Sequence, residues 1–265
     1  MVEITFQKRN YTSLESYPEA DDQITYVIAF NQRSGSTMLC DLLLQTRKMG
    51  QPKEYLKPEF IDQHSELRSI DKDPIEGKLT QYLDKVFKHY HLGNGCNGLK
   101  LSWDQVQRIC NFDNSKSFIK KSDSKILKKY FGDCRFILLT RANLIEQSVS
   151  AFLSSNTGVW HMWDKKDTLI EPEFNFQSIM KFTKEFAEYN YRWKKALQDA
   201  GIKFIEIFYE DLILDKMNSI KKTTEFILRK KVQFVNEPTS SIKKVNIEAK
   251  NNFMNIILDR LKENA

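Results

Sequence analysis

Glycine, proline and cysteine are scarce in this sequence of 265 residues, which contains nine, six and four of them respectively. So few glycines and prolines exclude a collagen-like or low-complexity chain. No apolar run approaches the roughly 20 residues that a membrane-spanning helix needs, so no integral membrane segment is expected. The first residues also lack the apolar stretch of a secretory signal peptide. These absences favour a folded protein in the cytoplasm.

The few cysteines and histidines argue against a metal site. The cysteines form no C-x-x-C pair, and most of them stand in apolar stretches. Buried free thiols in a reducing compartment fit this pattern best. The four histidines provide no third ligand at a spacing typical of zinc sites, so no metal is expected.

The net formal charge of +6 is unevenly distributed, because residues 216–265 carry the whole excess of lysine and arginine. A local positive excess attracts an anion, which leaves nucleic acid, a membrane surface and a phosphate-bearing small molecule open as ligands. The solvated surface of a helix explains the same charges equally well. Aromatic residues are not interleaved with the charges, so nucleic acid is not expected as a partner.

Hydrophobic periodicity predicts strands that alternate with helices. Short apolar runs predict strands at 24–30, 98–103, 135–140 and 203–209. Helical patterns follow at 37–46, 143–156, 179–197, 216–230 and 247–261. Such alternation favours a mostly parallel central sheet with helices on both faces, a three-layer α/β fold. We expect a single domain over 1–265, with residues 1–22 as a flexible N-terminal extension.

A polar turn, NQRSGST, separates the first predicted strand from the first predicted helix. The start of a helix offers unpaired N–H groups and a positive dipole end, which together bind phosphate. Gly35 would let the backbone approach a ligand, Ser34, Ser36 and Thr37 would add hydroxyl groups, and Arg33 would add charge. The turn lacks the second glycine and the lysine of the Walker A motif, so ordinary nucleoside-triphosphate hydrolysis is disfavoured. An ordinary strand–turn–helix corner is the alternative.

A second polar segment begins at Arg141, directly after the strand predicted at 135–140, and Ser148 follows on the next helix. Active-site groups of open α/β sheets come from the carboxyl ends of strands. An arginine and a serine there could hold a second phosphate through charge-assisted hydrogen bonds. Taken alone, the pair is explained as well by a surface arginine and a buried small residue.

Together these segments resemble the bacterial trehalose 2-sulfotransferase-like family of sulfotransferases. The resemblance covers about residues 24–211 and is carried by YVIAFNQRSGSTMLCDLL, GQPKEYL, GLKLSW, FILLTRANLIEQSVS, NTGVWH and FYEDL. It implies a P-loop NTPase-like fold, 3′-phosphoadenylyl sulfate (PAPS) as sulfuryl donor, adenosine 3′,5′-bisphosphate (PAP) as product, and no metal. The acceptor would be a hydroxyl group of a carbohydrate or glycolipid. Members of the family are often homodimers.

The resemblance also implies roles for individual residues. The first loop, with Arg33, would hold the phosphosulfate, while Arg141 and Ser148 would bind the 3′-phosphate. Lys244, here followed by Val245, is the basic residue of the tail expected at the same phosphate. Glu54 would be the general base that takes the proton of the acceptor hydroxyl.

Three other positions have alternatives that the sequence leaves open. Glu59 competes with Glu54 for the role of the base. Lys100 would neutralise the transferred or leaving group, or would be an edge lysine. Trp160 and His161 would line the acceptor pocket, or would pack in the interior.

Two other functions remain as alternatives. A nucleotide or sugar kinase would use a similar loop, but it requires magnesium and the lysine that is missing here. A polyanion-binding protein would rely on the basic residues of 216–265 and would show a steep salt dependence.

Overall fold

The computed structural model describes residues 24–67, 73–76, 78–90, 92, 95–115, 121–162, 164, 172–234 and 236–263. The extension predicted for 1–22 lies outside the described residues. Within them are four strands, β1 (Ile24–Phe30), β2 (Cys96–Ser102), β3 (Arg135–Thr140) and β4 (Phe204–Phe208).

The four strands form one parallel sheet in the order β2–β1–β3–β4. All carboxyl ends therefore lie at one edge, where Phe30 pairs with Ser102 and with Leu139. β1 and β2 are almost completely buried, as the continuous apolar run of β1 predicts for a strand covered on both faces.

Helices cover both faces of this sheet. In chain order they are α1 (Ser36–Gln45), α2 (Pro58–Gln63), α3 (Leu79–His89), α4 (Trp103–Ser115), α5 (Asp123–Phe131), α6 (Leu144–Thr157), α7 (Phe176–Asp199), α8 (Tyr209–Leu214), α9 (Lys216–Leu228) and α10 (Ile247–Glu263). Two single 3₁₀ turns, Ser65–Leu67 and Pro74–Glu76, connect α2 to α3.

The alternation of side chains along the strands divides the core in two. Val27, Ala29 and Phe136 point to a cluster formed with α3, α4, α5 and α7. Ile28 and Ile137 point to the opposite cluster, formed with α1 and α9. The prediction of a three-layer α/β fold with a parallel sheet is therefore confirmed, including the strand–loop–helix corner between β1 and α1.

The sequence patterns also located the ends of several elements. β1 and β3 have the predicted bounds, and the five predicted helices agree with the structure to within three residues at each end, whereas α2, α3, α4, α5 and α8 were not predicted individually. Asn143 caps α6 by accepting a hydrogen bond from the N–H of Glu146, as its position predicts. Gly201 follows α7 with a φ of +67°, a conformation that only glycine adopts readily.

Other compositional expectations can be compared with the described residues. The four cysteines are free, Cys96 and Cys110 are buried, and Cys40 and Cys134 are partly buried. Burial raises the pKa of the Cys96 thiol to about 12, so it stays protonated at neutral pH. Across the described part of the chain, no helix combines the length and the apolar character required to cross a bilayer.

We predict that Trp193 is a principal determinant of stability. Its indole is completely buried on α7 and meets Trp103 edge to face, with ring centroids 4.9 Å apart. Trp193→Ala should lower the free energy of unfolding by about 3–5 kcal/mol, because burial is lost and a cavity remains. Urea unfolding followed by circular dichroism measures this change.

Tyr191 provides the matched control, since it lies on the same helix with 66% of its surface exposed. Tyr191→Ala should change stability by about 0.5 kcal/mol or less. Equal losses for the two variants would contradict the proposed contribution of Trp193.

Candidate active site

The loop between β1 and α1 is shaped to approach a ligand closely. Gly35 precedes α1 with a φ of +88°, and no side chain caps this helix. A Cβ atom at Gly35 would lie 2.3 Å from Cδ2 of Tyr209. Any other residue here would therefore collide with Tyr209 and would also adopt an unfavourable backbone conformation. The first N–H groups of α1 are therefore available for an anion.

The Arg33 side chain is fixed above this loop by two hydrogen bonds. Its Nε donates to Oγ of Ser150 at 3.0 Å, and its Nη1 donates to the carbonyl oxygen of Trp160. Burial, and next the neighbouring charge of Arg141, lower the pKa of Arg33. Two guanidinium groups this close repel each other, and an anion between them would relieve that repulsion.

Arg141, the first residue after β3, is only 7% exposed. Its guanidinium lies over the ring of Tyr209, 4.4 Å from the centroid. Its Nη1 donates to the carbonyl oxygen of Arg33 at 3.4 Å, and its remaining nitrogens contact Glu146 and Glu210. Arg33 and Arg141, predicted from two separate segments, are thus brought together.

Ser148, the serine predicted to accompany Arg141, lies on α6, the helix that follows it. Ser148 is completely buried on α6, where its hydroxyl donates to the carbonyl oxygen of Leu144 and accepts from Thr183. Ser150, two residues later, is partly exposed and accepts the hydrogen bond of Arg33. Ser150, which the sequence reasoning did not single out, is therefore the serine of α6 that contacts Arg33.

Glu54 and Lys100 form an ion pair at the same edge of the sheet. Their charged atoms, Oε2 and Nζ, are 3.3 Å apart, and Oε1 of Glu54 faces Nε2 of Gln105 at 3.5 Å. A single β-bridge between Lys53 and Leu99 places the chain beside β2 just before Glu54. This position brings the Glu54 carboxylate close to Lys100. Lys100 is buried with its ammonium 4.5 Å from the centroid of Phe30, at the end of β1. Glu59, in contrast, is exposed on α2 and pairs with Lys57 at 3.8 Å.

Trp160 and His161 lie on a turn that Asp164 organises. One carboxylate oxygen of Asp164 accepts from the backbone N–H groups of both residues, each at 2.7 Å. Both residues are partly exposed. Burial lowers the pKa of His161, the charges of Lys100 and Arg33 add to this effect, and Asp164 opposes it. The turn therefore faces the same charged groups as Glu54 and the first loop.

The remaining predicted residues lie around the first loop. Ser34 and Ser36 are buried, and the hydroxyl of Ser34 has no hydrogen-bond partner within the described part of the chain. Thr37 is partly exposed in the first turn of α1. Lys244 is exposed in the segment between α9 and α10, which runs beside α1 and the Trp160 turn. Hydrogen bonds from Ser240 to Asp41 and from the N–H of Lys243 to Sδ of Met162 hold that segment.

The segment FYEDL contributes residues that the sequence reasoning quoted but gave no role. Tyr209 lies between Gly35 and Arg141, as described above. The Glu210 carboxylate accepts from the N–H groups of Ala142 and Asn143, at 2.9 and 3.4 Å, which fixes the start of the β3–α6 turn. Its position directly after a predicted strand was the available signal, since carboxyl ends of strands carry the functional groups in such sheets.

Among the residues that the structure describes, no three or more His, Cys, Asp and Glu side chains are grouped to hold a metal ion.

Three comparisons relate the chain to known proteins. Trehalose 2-sulfotransferase of Mycolicibacterium smegmatis is 27% identical over 164 residues, which are 53% of this chain and 60% of that protein. The match thus covers less than two thirds of the relative. Two solved structures of retinol dehydratase, one with androsterone and the inactive cofactor PAP and one with retinol and PAP, align over 82% and 91% of this chain.

These two alignments cover 63% and 67% of the retinol dehydratase chains, with TM-scores of 0.38 and 0.39 and identities of 15% and 13%. The match to a family model is much more extensive. The model of the Stf0 sulphotransferase family matches residues 25–255, which extend from the second residue of β1 to the middle of α10. The chain belongs to the Stf0 sulphotransferase family.

Proposed function

We propose that this protein transfers the sulfuryl group of PAPS to a hydroxyl group of a carbohydrate or glycolipid. The observation that carries the proposal is the convergence of Arg33 and Arg141 at the sheet edge that also holds the Glu54–Lys100 pair. Two cations beside the start of a helix suit a ligand with several anionic groups. A carboxylate nearby suits proton removal. Membership of the family supports the same reaction.

The first loop fits the phosphosulfate end of the donor. α1 has no side-chain cap, Gly35 allows close approach, and the buried Ser34 hydroxyl has no partner among the described residues. Arg33, Ser36 and Thr37 would add further donors from the same loop and the first turn of α1. Bound PAPS would supply the sulfuryl group, and these residues would hold and orient its phosphate oxygens.

The 3′-phosphate of the donor would bind Arg141, with Ser150 as the nearby hydroxyl. Arg141 has five N–H groups, and its three internal contacts leave donors for a phosphate. Ser150 is preferred to Ser148 because the Ser148 hydroxyl already donates and accepts in the interior. Lys244 lies on the segment beside α1 and would add charge from that side.

Glu54 would act as the general base. The acceptor oxygen bonds to sulfur while its proton passes to Glu54, the sulfur–oxygen bond to the 5′-phosphate breaks, and PAP leaves. Lys100 holds the Glu54 carboxylate in place through their ion pair. Together with Arg33 and the N–H groups of α1, it would stabilise the negative charge that develops on the leaving phosphate.

The acceptor would lie against the Trp160 turn. The partly exposed indole of Trp160 offers an aromatic face for the apolar side of a sugar ring. His161, with its lowered pKa, would be neutral at pH 7 and could exchange hydrogen bonds with sugar hydroxyls. The curated relative is a trehalose 2-sulfotransferase, which favours a carbohydrate.

PAP should bind more tightly than AMP, because AMP has no 3′-phosphate for Arg141 to bind. Charge-assisted hydrogen bonds contribute about 1.5–3 kcal/mol each, so Arg141→Ala should weaken PAP binding by roughly tenfold or more. AMP binding should change little by comparison. Isothermal titration calorimetry with both nucleotides measures these affinities, and equal affinity of the wild type for PAP and AMP would contradict the proposed function.

The two serines of α6 should respond differently. Ser150→Ala should weaken PAP binding by about three- to tenfold, since a hydrogen bond of about 0.5–1.5 kcal/mol is lost. Ser148→Ala should leave PAP affinity nearly unchanged and should lower stability instead, because the lost bonds to Leu144 and Thr183 are internal. If Ser148→Ala alone reduced PAP affinity, Ser148 would be the phosphate ligand.

Glu54→Gln should reduce turnover by a factor on the order of 10²–10⁴, because the amide cannot take the proton. PAP affinity should barely change, since Glu54 contacts Lys100 and Gln105 rather than the two arginines. Turnover is measured with labelled PAPS across a panel of carbohydrate acceptors.

Glu59→Gln is the matched control for this carboxylate. Glu59 is exposed and pairs with Lys57, so its substitution should have only a mild effect on turnover. Near-normal turnover of Glu54→Gln with the best acceptor would assign the base to another residue, with His161 the next candidate.

A further inference from the structure

The guanidinium of Arg141, which the proposed function assigns to an anion, already contacts two carboxylates. Its Nη2 is 3.0 Å from Oε2 of Glu146, and its Nε is 3.4 Å from Oε1 of Glu210. Carboxylates at such distances orient a guanidinium, but they also offset the positive charge that attracts a phosphate. An arginine arranged in this way binds an anion well only if the carboxylate charges are compensated elsewhere.

The Glu210 charge is compensated by the backbone. Its carboxylate accepts from the N–H groups of Ala142 and Asn143, at the positive end of α6. Burial by itself would raise the pKa of Glu210, and these hydrogen bonds instead keep it below its ordinary value. No cation besides Arg141 is therefore needed to balance the negative charge of Glu210.

The Glu146 charge is compensated by Lys250. The Lys250 ammonium, on α10, is 2.7 Å from Oε1 of Glu146, and the residue is only 9% exposed. The Glu146 carboxylate thus lies between Lys250 on one oxygen and Arg141 on the other. Burial alone would raise the pKa of Glu146, but the hydrogen bond from Lys250 and the charge of Arg141 hold it below its ordinary value. Glu146 is therefore ionised at neutral pH.

We propose that Lys250 is a positioning residue for nucleotide binding, which neutralises Glu146 so that Glu146 orients Arg141 without cancelling its charge. The proposal rests on the proposed function of Arg141 as the ligand of the 3′-phosphate. It gives the last helix a part in donor recognition through a chain of contacts from Lys250 to Glu146 to Arg141. Lys250 acts through Arg141 and not by contact with the phosphate.

α10 is held against α6 independently of this charge pair. Phe253 on α10 packs against Phe152 on α6, with ring centroids 6.1 Å apart, in a cluster that includes Ile257. Removal of the Lys250 charge should therefore leave the helix in place. The consequence is expected at Arg141, which would retain Glu146 as an uncompensated partner.

The test measures the affinities of PAP and AMP for the full chain by calorimetry. Lys250→Met should weaken PAP binding by about tenfold, because the Glu146 charge then acts against the phosphate at short range. AMP affinity should change little, since AMP lacks the 3′-phosphate. Lys262→Met is the matched control: Lys262 lies on the same helix, is largely exposed and pairs only with Asp259 among the described residues.

Two further variants separate positioning from a structural role. Glu146→Gln combined with Lys250→Met removes both charges and should restore PAP affinity to within a few-fold of the wild type. Lys250→Arg should keep most of the affinity. A purely structural role predicts instead that the double variant is at least as weak as Lys250→Met for both nucleotides.

The outcomes distinguish this inference from the proposed function. If the wild type does not prefer PAP to AMP, the proposed function fails. If it does prefer PAP and Lys250→Met keeps the same preference, only the inference about Lys250 is overturned. If Lys250→Met does not fold, the double variant Glu146→Gln with Lys250→Met is measured instead. Loss of the preference for PAP over AMP in that double variant would overturn the inference.

Discussion

Two guanidinium groups, those of Arg33 and Arg141, lie close together at the carboxyl edge of the sheet, and much of the polar structure nearby holds them there. Ser150 and Trp160 fix Arg33, while Tyr209 and two glutamates fix Arg141. Like charges do not approach each other in water without compensation. The parallel sheet makes the approach possible, because it ends β1 and β3 side by side and sends a loop from each strand over the same edge.

The same sheet edge brings a carboxylate to the opposite side of the site. Glu54 belongs to a segment beside β2, while Arg33 and Arg141 follow β1 and β3. Lys100 lies between these regions, paired with Glu54 and placed over the ring of Phe30. Under the proposed function, the two arginines would bind the anionic donor and Glu54 would accept the proton, with one buried lysine between them. Such a division would suit the transfer of an anionic group to a neutral hydroxyl.

Local patterns in the sequence predicted most of the fold. The mostly apolar run of β1 located a strand buried on both faces, and the cap formed by Asn143 located the start of α6. Arg33 and Arg141 were recognisable because each follows such a strand. These signals are all contained within a few neighbouring residues, so they do not depend on the rest of the chain.

The parts that the sequence did not predict depend on contacts between distant residues or on helix rotation. Ser148 and Ser150 are two positions apart, so they point to nearly opposite sides of α6, and only packing decides which one faces the site. The bridge from Lys53 to Leu99 and the pair of Lys250 with Glu146 join residues far apart in sequence. No local pattern carries that information.

Arg33 combines a side chain assigned to the proposed anion site with a backbone conformation that favours glycine. Its φ of +61° lies in the left-handed region, which costs a residue with a Cβ atom about 1 kcal/mol. Glycine would relieve this cost but would remove the guanidinium and its bonds to Ser150 and Trp160. Under the proposed function, folding stability and anion binding would make opposite demands at this one position, so the most stable loop and the best anion-binding loop would have different sequences.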